Sequence, residues 1–448
     1  MSEFENTPFE ENENGSVSPE ENVSESIRDI KEITDAPDSP KDIFGVAKRY
    51  AKPIGVVAVI LVLAILLTVV FGGKDKEANN LFCDNMIVFN EVNTETGEIM
   101  YGIIDKKGKT IADADYVLAY LPGEGMIVAK EPPVGDELFV QNPASYGLMT
   151  GKGEEVTKFN FNGCAPEFSD GLIAMSQNGK WGFVNKKGEW EIKASFGDAL
   201  SFSDSLAGVK DASTSKWGFV NKKGEFVIKP TFEDVGNFAD GLAPAKKNGK
   251  WGFVDKKGEW KIDNDYLEVM PFNDGIARAK DINELWGFIN EKGKWTVKPR
   301  FQEINDFSEN LAAAKKNGKW GFIDKKGEWK IDNDYALVGN FADGLAYALE
   351  DGDTKFGYIG KNGKWKIEPD FDAASDFSNS IACVKDGKKY GYIAKNGKWK
   401  IEPSYAYATS FYDDGYAVVQ SAKEETEWFV IDKKGENILK DTFDGIMP

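Results

Sequence analysis

FADGLAPAKKNGKWGFVDKKGEWKIDNDYLEVMPF, residues 238 to 272, can be divided by its turn residues alone. Asp240-Gly241 opens an apolar strand at 242 to 246. Asn248-Gly249 is a two-residue hairpin signal that favours positive φ at both turn positions, and WGFV follows as a second strand. Lys256-Lys257-Gly258 suits a three-residue hairpin with glycine in the left-handed position, so EWKI is the third. The stretch predicts a three-stranded antiparallel meander.

The same unit recurs about every 35 residues. Its aromatic-glycine pair begins at Tyr101, Tyr146, Trp181, Trp217, Trp251, Trp286, Trp320, Phe356, Tyr390 and Trp428, where Phe429 stands in for the last glycine. Seven places after each aromatic comes the hairpin glycine: Gly108, Gly153, Gly188, Gly224, Gly258, Gly293, Gly327, Gly363, Gly397 and Gly435. A fixed period of this size marks a repeat array, and these aromatics number its modules one to ten.

With a regular hairpin register, Val184 faces Trp190 and Gly182 faces Ile192, while Trp181 and Phe183 point to the other side. Both sheet faces are then apolar, and stacking of successive modules would cover them. Gly182 would leave room for the Trp190 ring. In module ten Phe429 replaces that glycine just where Asn437 replaces the tryptophan, so bulk has changed strands. An F-x-x-apolar-x-x-F element, as in Phe232, Val235 and Phe238, reads as a tight connector packed on the array.

All twelve tryptophans fall at two positions of the repeat. Six begin the WG pair, and six follow the hairpin glycine: Trp190, Trp260, Trp295, Trp329, Trp365 and Trp399. Regular placement gives both sets a packing role. The second set is also the candidate ligand-contact row, because aromatic rows on a repeat surface stack against sugars or peptide side chains.

The segments KWGFVNKKGEW, KWGFVDKKGEW and KWGFIDKKGEW resemble the bacterial WG, or KWG, repeat proteins, and the resemblance covers residues 81 to 448. It implies an all-β repeat domain, frequent on bacterial envelope proteins and presumed to bind, and it carries over no catalytic residue. Modules one, two, eight and nine depart from it with Tyr or Phe for the first Trp.

Propellers commonly have four to eight four-stranded blades, whereas this chain has ten copies read as three-stranded. An open, twisting solenoid is therefore expected. The alternatives are a propeller-like ring closed by contact of the first and last units, and two smaller closed groups.

Residues 54 to 73, IGVVAVILVLAILLTVVFGG, form a charge-free run of twenty. At about 1.5 Å per residue a helix of that length matches the roughly 30 Å hydrocarbon layer, so a single transmembrane helix is expected. Lys41, Lys48, Arg49 and Lys52 precede it and Lys74 and Lys76 follow, which places the N-terminus in the cytoplasm and the repeats outside the cell membrane. A cleaved signal peptide is the competing reading, but the run starts late and lacks a small-x-small site. The domains read as a disordered acidic tail (1–40), a basic juxtamembrane segment (41–53), the helix (54–73), a short linker (74–80) and the WG-repeat β domain (81–448).

Formal charge is −19, and residues 1 to 40 hold twelve acids against Arg28 and Lys31. An acidic surface repels phosphate backbones, so no nucleic acid partner is expected. Histidine is absent, which removes the commonest general base and the imidazole metal ligand. Cys83, Cys164 and Cys383 show no CxxC spacing, and Cys383 takes the place of Ala313.

No phosphate-loop pattern occurs. Asp263-Asn264-Asp265 and Asp332-Asn333-Asp334 lack the Gly and Glu of a calcium loop and read as Asx turns. The tip lysines Lys186-Lys187, Lys222-Lys223, Lys256-Lys257 and Lys325-Lys326 could meet an anionic polymer or be merely solvated. Glu189 and Glu191 recur at strand positions and read as charge partners rather than a glycosidase pair.

These readings point to a membrane-anchored, non-catalytic extracellular module without cofactor or metal, binding protein or cell-wall glycan. The alternatives are a transmembrane sensor that couples the array to a cytoplasmic partner of the acidic tail, and, more remotely, a carbohydrate-active enzyme.

Overall fold

The computed structural model describes residues 79–132, 134–136, 139–142, 145–423 and 427–447. The expected tail and transmembrane helix at 1–73 lie outside them. Among the described residues the regular elements are all strands, and no helix is long and apolar enough to cross a membrane.

Module five shows why the sequence folds as it does. Its strands Leu242–Lys247, Lys250–Asp255 and Trp260–Tyr266 pair antiparallel in that order. Asn248 and Gly249 have φ of 54° and 76°, a hairpin turn whose twist matches that of the strands, and Gly258 has φ of 80°. One element exceeds the expectation. Asp234–Val235, part of the presumed connector, is itself a short strand pairing with Leu242–Lys247, so the module has four strands rather than three.

Modules three, four, six, seven and nine repeat this order with short strands of their own. Modules eight and ten take theirs from the preceding module's third strand, which runs on through Trp329–Val338 and Trp399–Ala408. In module two the position is filled by Leu118–Gly123. In module one no described segment just upstream forms that strand. Gly445–Met447 does so instead, pairing with Met86–Val92 through Asn90↔Gly445, Phe89↔Ile446 and Val88↔Met447.

This end-to-end strand pairing overturns the open solenoid and bears out the closed alternative. Buried apolar clusters bridge every successive pair of modules, and one of them joins Val418, Val430 and Leu439 of module ten to Ile87, Phe89 and Ile104 of module one. Module contacts thus make a complete circuit, while no single sheet closes into a barrel. Asn79 adds to the junction by exchanging backbone and side-chain hydrogen bonds with Asp413, and Asp414 accepts from the N–H groups of Leu81 and Phe82.

The second hairpin differs from the regular ladder. Val184 pairs with Trp190 as expected, but Phe183 pairs with Ile192 and Trp181 with Phe196, so the third strand carries extra residues at two bulges. Gly182 therefore lies closest to the backbone of that bulged strand, and at the equivalent Gly287 the Trp295 ring also stands 2.9 Å from where a Cβ would be. A Cβ on Gly182 would stand 2.5 Å from the Ile192 carbonyl oxygen and 2.6 Å from the Ala194 nitrogen. Extra residues bend the third strand inward, and only glycine lets it approach.

Candidate binding surface

Each of the six candidate tryptophans begins a third strand and is half-buried at a seam between modules. Its ring stands edge-on to an aromatic of the preceding module: Trp190 to Phe161 (5.6 Å between centroids), Trp260 to Phe232 (5.7 Å), Trp295 to Tyr266 (5.6 Å), Trp329 to Phe301 (5.5 Å), Trp365 to Tyr335 (6.3 Å) and Trp399 to Phe371 (5.9 Å). Edge-to-face pairs of this kind contribute about 0.5–1.5 kcal/mol beyond the area they bury. The row recurs at regular intervals, each ring half-buried. Trp365 also donates its indole N–H to Glu350 Oε1 at 3.2 Å.

Three further rings do the same work and escape a search for tryptophan. Phe226 meets Phe196 at 6.0 Å, Phe159 stacks on Tyr116 at 5.8 Å, and Phe429 meets Tyr405 at 6.0 Å. Phe226 could have been found from its place after Lys-Lys-Gly-Glu. Phe159 follows an irregular stretch and carries no such signal.

The hairpin glycine contributes to the same seams. A Cβ on Gly258 would lie 2.8 Å from Ile228 Cγ2 of module four, and the other nine hairpin glycines stand equally against the module before them, Gly108 against Leu439 of module ten included. Two demands, left-handed φ and close approach across a seam, therefore fall on one residue.

Four tryptophans of the first row lie opposite a lysine of the first strand, whereas Trp181 faces Ser176 and Trp428 faces Gln420. Lys246 sits over Trp251 at 5.7 Å, Lys280 over Trp286 at 5.5 Å and Lys315 over Trp320 at 5.7 Å. Partly exposed cation–π pairs contribute about 0.5–1 kcal/mol. This set is structural.

The tip lysines divide by role. In three of the four pairs the first lysine reaches back to an acid of the preceding module: Lys186 to Glu124 (2.8 Å), Lys222 to Asp170 (3.7 Å) and Lys256 to Asp204 (3.7 Å). Lys186 and the Gly171 N–H hold the Glu124 carboxyl below its ordinary range against the opposing effect of burial. The second lysines, Lys187, Lys223, Lys257 and Lys326, stay exposed.

The Asp-Asn-Asp segments bind backbone. Asn264 donates to the Lys247 carbonyl at 2.6 Å and Asn333 to that of Lys316 at 2.7 Å, which closes the first hairpin onto the third strand. Among the described residues no group of three or more Cys, Asp or Glu could hold a metal ion. Burial pushes the thiols of Cys164 and Cys383 up to about 12, which leaves both as uncharged packing groups.

A family model described as a WG containing repeat matches nine segments between residues 101 and 422, including 217–251, 251–285 and 286–320. No curated relative matches the chain. Remote similarity extends to several solved structures. A crystal structure of a eukaryotic initiation factor shares 9% identity over 81% of this chain and 97% of its own, with a TM-score of 0.45. BamB from Moraxella catarrhalis shares 9% over 64% and 92%, TM-score 0.31, and Kluyveromyces lactis Hsv2p 9% over 62% and 99%, TM-score 0.31.

Proposed function

Because the chain belongs to the WG-containing repeat family, a family of β-repeat modules, we propose that it is a non-catalytic binding module that engages an extended protein partner across several modules at once. The observation that carries this reading is the row of half-buried indoles repeated from seam to seam. Each ring is held by the aromatic beneath it, so little side-chain freedom is lost on contact. Exposed charged neighbours flank each ring along the third strand, Lys261 and Asp263 beside Trp260 and Lys330 and Asp332 beside Trp329. An aromatic anchor with a polar rim is the composition of protein-recognition surfaces.

Residues 54 to 73 would anchor this module in the membrane, with the array on the outer side and the acidic tail within reach of a cytoplasmic partner. Cell-wall glycan is the second ligand class the indoles suit. The test is capture of crosslinked surface proteins, and separately of purified cell-wall glycan, by the full chain and by a Trp260→Phe/Trp329→Phe variant. Capture of protein that falls in the variant, while the variant remains folded under the assay conditions, supports the proposal. Capture of glycan alone, or turnover of it, overturns the protein reading.

A further inference from the structure

One position of the seam repeats with varied chemistry. In module six Arg278 of the first strand crosses to Asp306 of module seven at 2.8 Å, and also donates to the Ile304 carbonyl at 3.1 Å. One seam on, Asn305 donates to Asn340 Oδ1 at 3.1 Å. Two seams on from Arg278, the aspartate position recurs as Asp376 of module nine. Tyr347 of module eight stands where Arg278 would be.

Asp376 has no such cation, and it is half-buried. Its Oδ1 is buried without a hydrogen-bond partner, and the backbone N–H of Asn340 is the one neighbour that favours the ionised carboxyl. Gly339 closes over it so tightly that a Cβ there would collide with both Oδ1 and the Tyr347 ring. The titratable groups that face it are Tyr347 and Tyr358 of module eight, both neutral at physiological pH, and no lysine or arginine of the described residues acts on it.

We propose that the seam between modules eight and nine is a proton-dependent joint, closed while Asp376 is protonated and loosened when it ionises against Tyr347 and Gly339. Isolated charge in an apolar seam is unfavourable, and the neighbouring Arg278–Asp306 pair shows how the same site is otherwise neutralised. Burial moves the carboxyl up to about 7 from an ordinary value near 3.8. The closed seam thus binds a proton that the opened chain releases. Sign follows from linkage: seam stability is full at low pH, declines as pH rises from about 4 to about 7, and levels off above.

Hydrogen exchange of the full chain, corrected for the intrinsic rate, tests this at residues 339–349 and 373–386. Opening of these segments should rise at least about tenfold between pH 5 and pH 7.5, while the segment 303–316 at the Arg278–Asp306 seam stays level. Asp376→Asn should abolish the rise, and Tyr347→Arg should abolish it by restoring a cation. An unchanged rise in Asp376→Asn overturns the proposal, as does a wild-type protein with level protection. Should Tyr347→Arg fail to fold, the Asp376→Asn comparison alone decides.

Discussion

Phe429 of the last module packs against Tyr405 with 6.0 Å between ring centroids, in the place where Trp399 meets Phe371 one module earlier. Trp399 reaches the seam from a third strand and Phe429 from a second. The seam keeps its ring because an apolar site facing a neighbour must be filled, whichever strand supplies the filling. The second tryptophan row is therefore a set of wedges between modules.

Trp260→Ala should accordingly destabilise the array by about 3 kcal/mol, at the low end for loss of a large aromatic because the ring is not fully buried. Trp260→Phe should cost less than half of that by keeping an edge for Phe232. Denaturant unfolding checks both, and equal losses would show that the wedge shape does not matter.

Glycines at different positions of the repeat should differ sharply in tolerance. Gly249→Ala meets nothing within 4 Å and should cost about 1–2 kcal/mol from its φ of 76° alone. Gly182→Ala has ordinary backbone dihedrals yet drives a Cβ into the bulged strand, so it should cost about 3 kcal/mol or more. Thermal melts of the two variants should rank them in that order.

Polar ties across the seams should be unequal. Ser203 is buried and donates to the Phe238 carbonyl at 2.6 Å, so Ser203→Ala should cost about 1–3 kcal/mol by stranding an acceptor. The Lys186–Glu124 pair is exposed, and Lys186→Ala should cost under about 1 kcal/mol and less still in high salt. Melting of both variants at low and at high salt separates these effects, since only the second should depend on it.

Much of the module was legible in the chain because turn chemistry is local. Asn248-Gly249 and Gly258 specified both hairpins, and two apolar faces required stacked neighbours. The bulges opposite Gly182 were not legible, since extra residues in a strand leave no mark on a repeat whose every copy carries them. The short strand at Asp234–Val235 was masked by its length, because two residues show no alternation. Closure escaped for a related reason. A count of three strands per unit argued for an open array, and the strand that closes it, Gly445–Met447, belongs to a module more than 340 residues away in sequence. The candidate tryptophans were located correctly as a row, but their edge-on partners one module back are set by packing between copies and not by spacing within one. Asp376 was invisible because its environment comes from a neighbouring module.

Pairing of modules one and ten is the claim on which the closed circuit rests, and a disulfide test reaches it most directly. In a variant with the native cysteines replaced by alanine, Val88→Cys and Met447→Cys occupy directly opposed positions of the terminal strand pair. Mild oxidation should link them within one chain in nearly full yield, with a faster-migrating band under non-reducing conditions. Two thiols that stay free, while the array remains folded, would mean that modules one and ten do not meet and that the circuit is open.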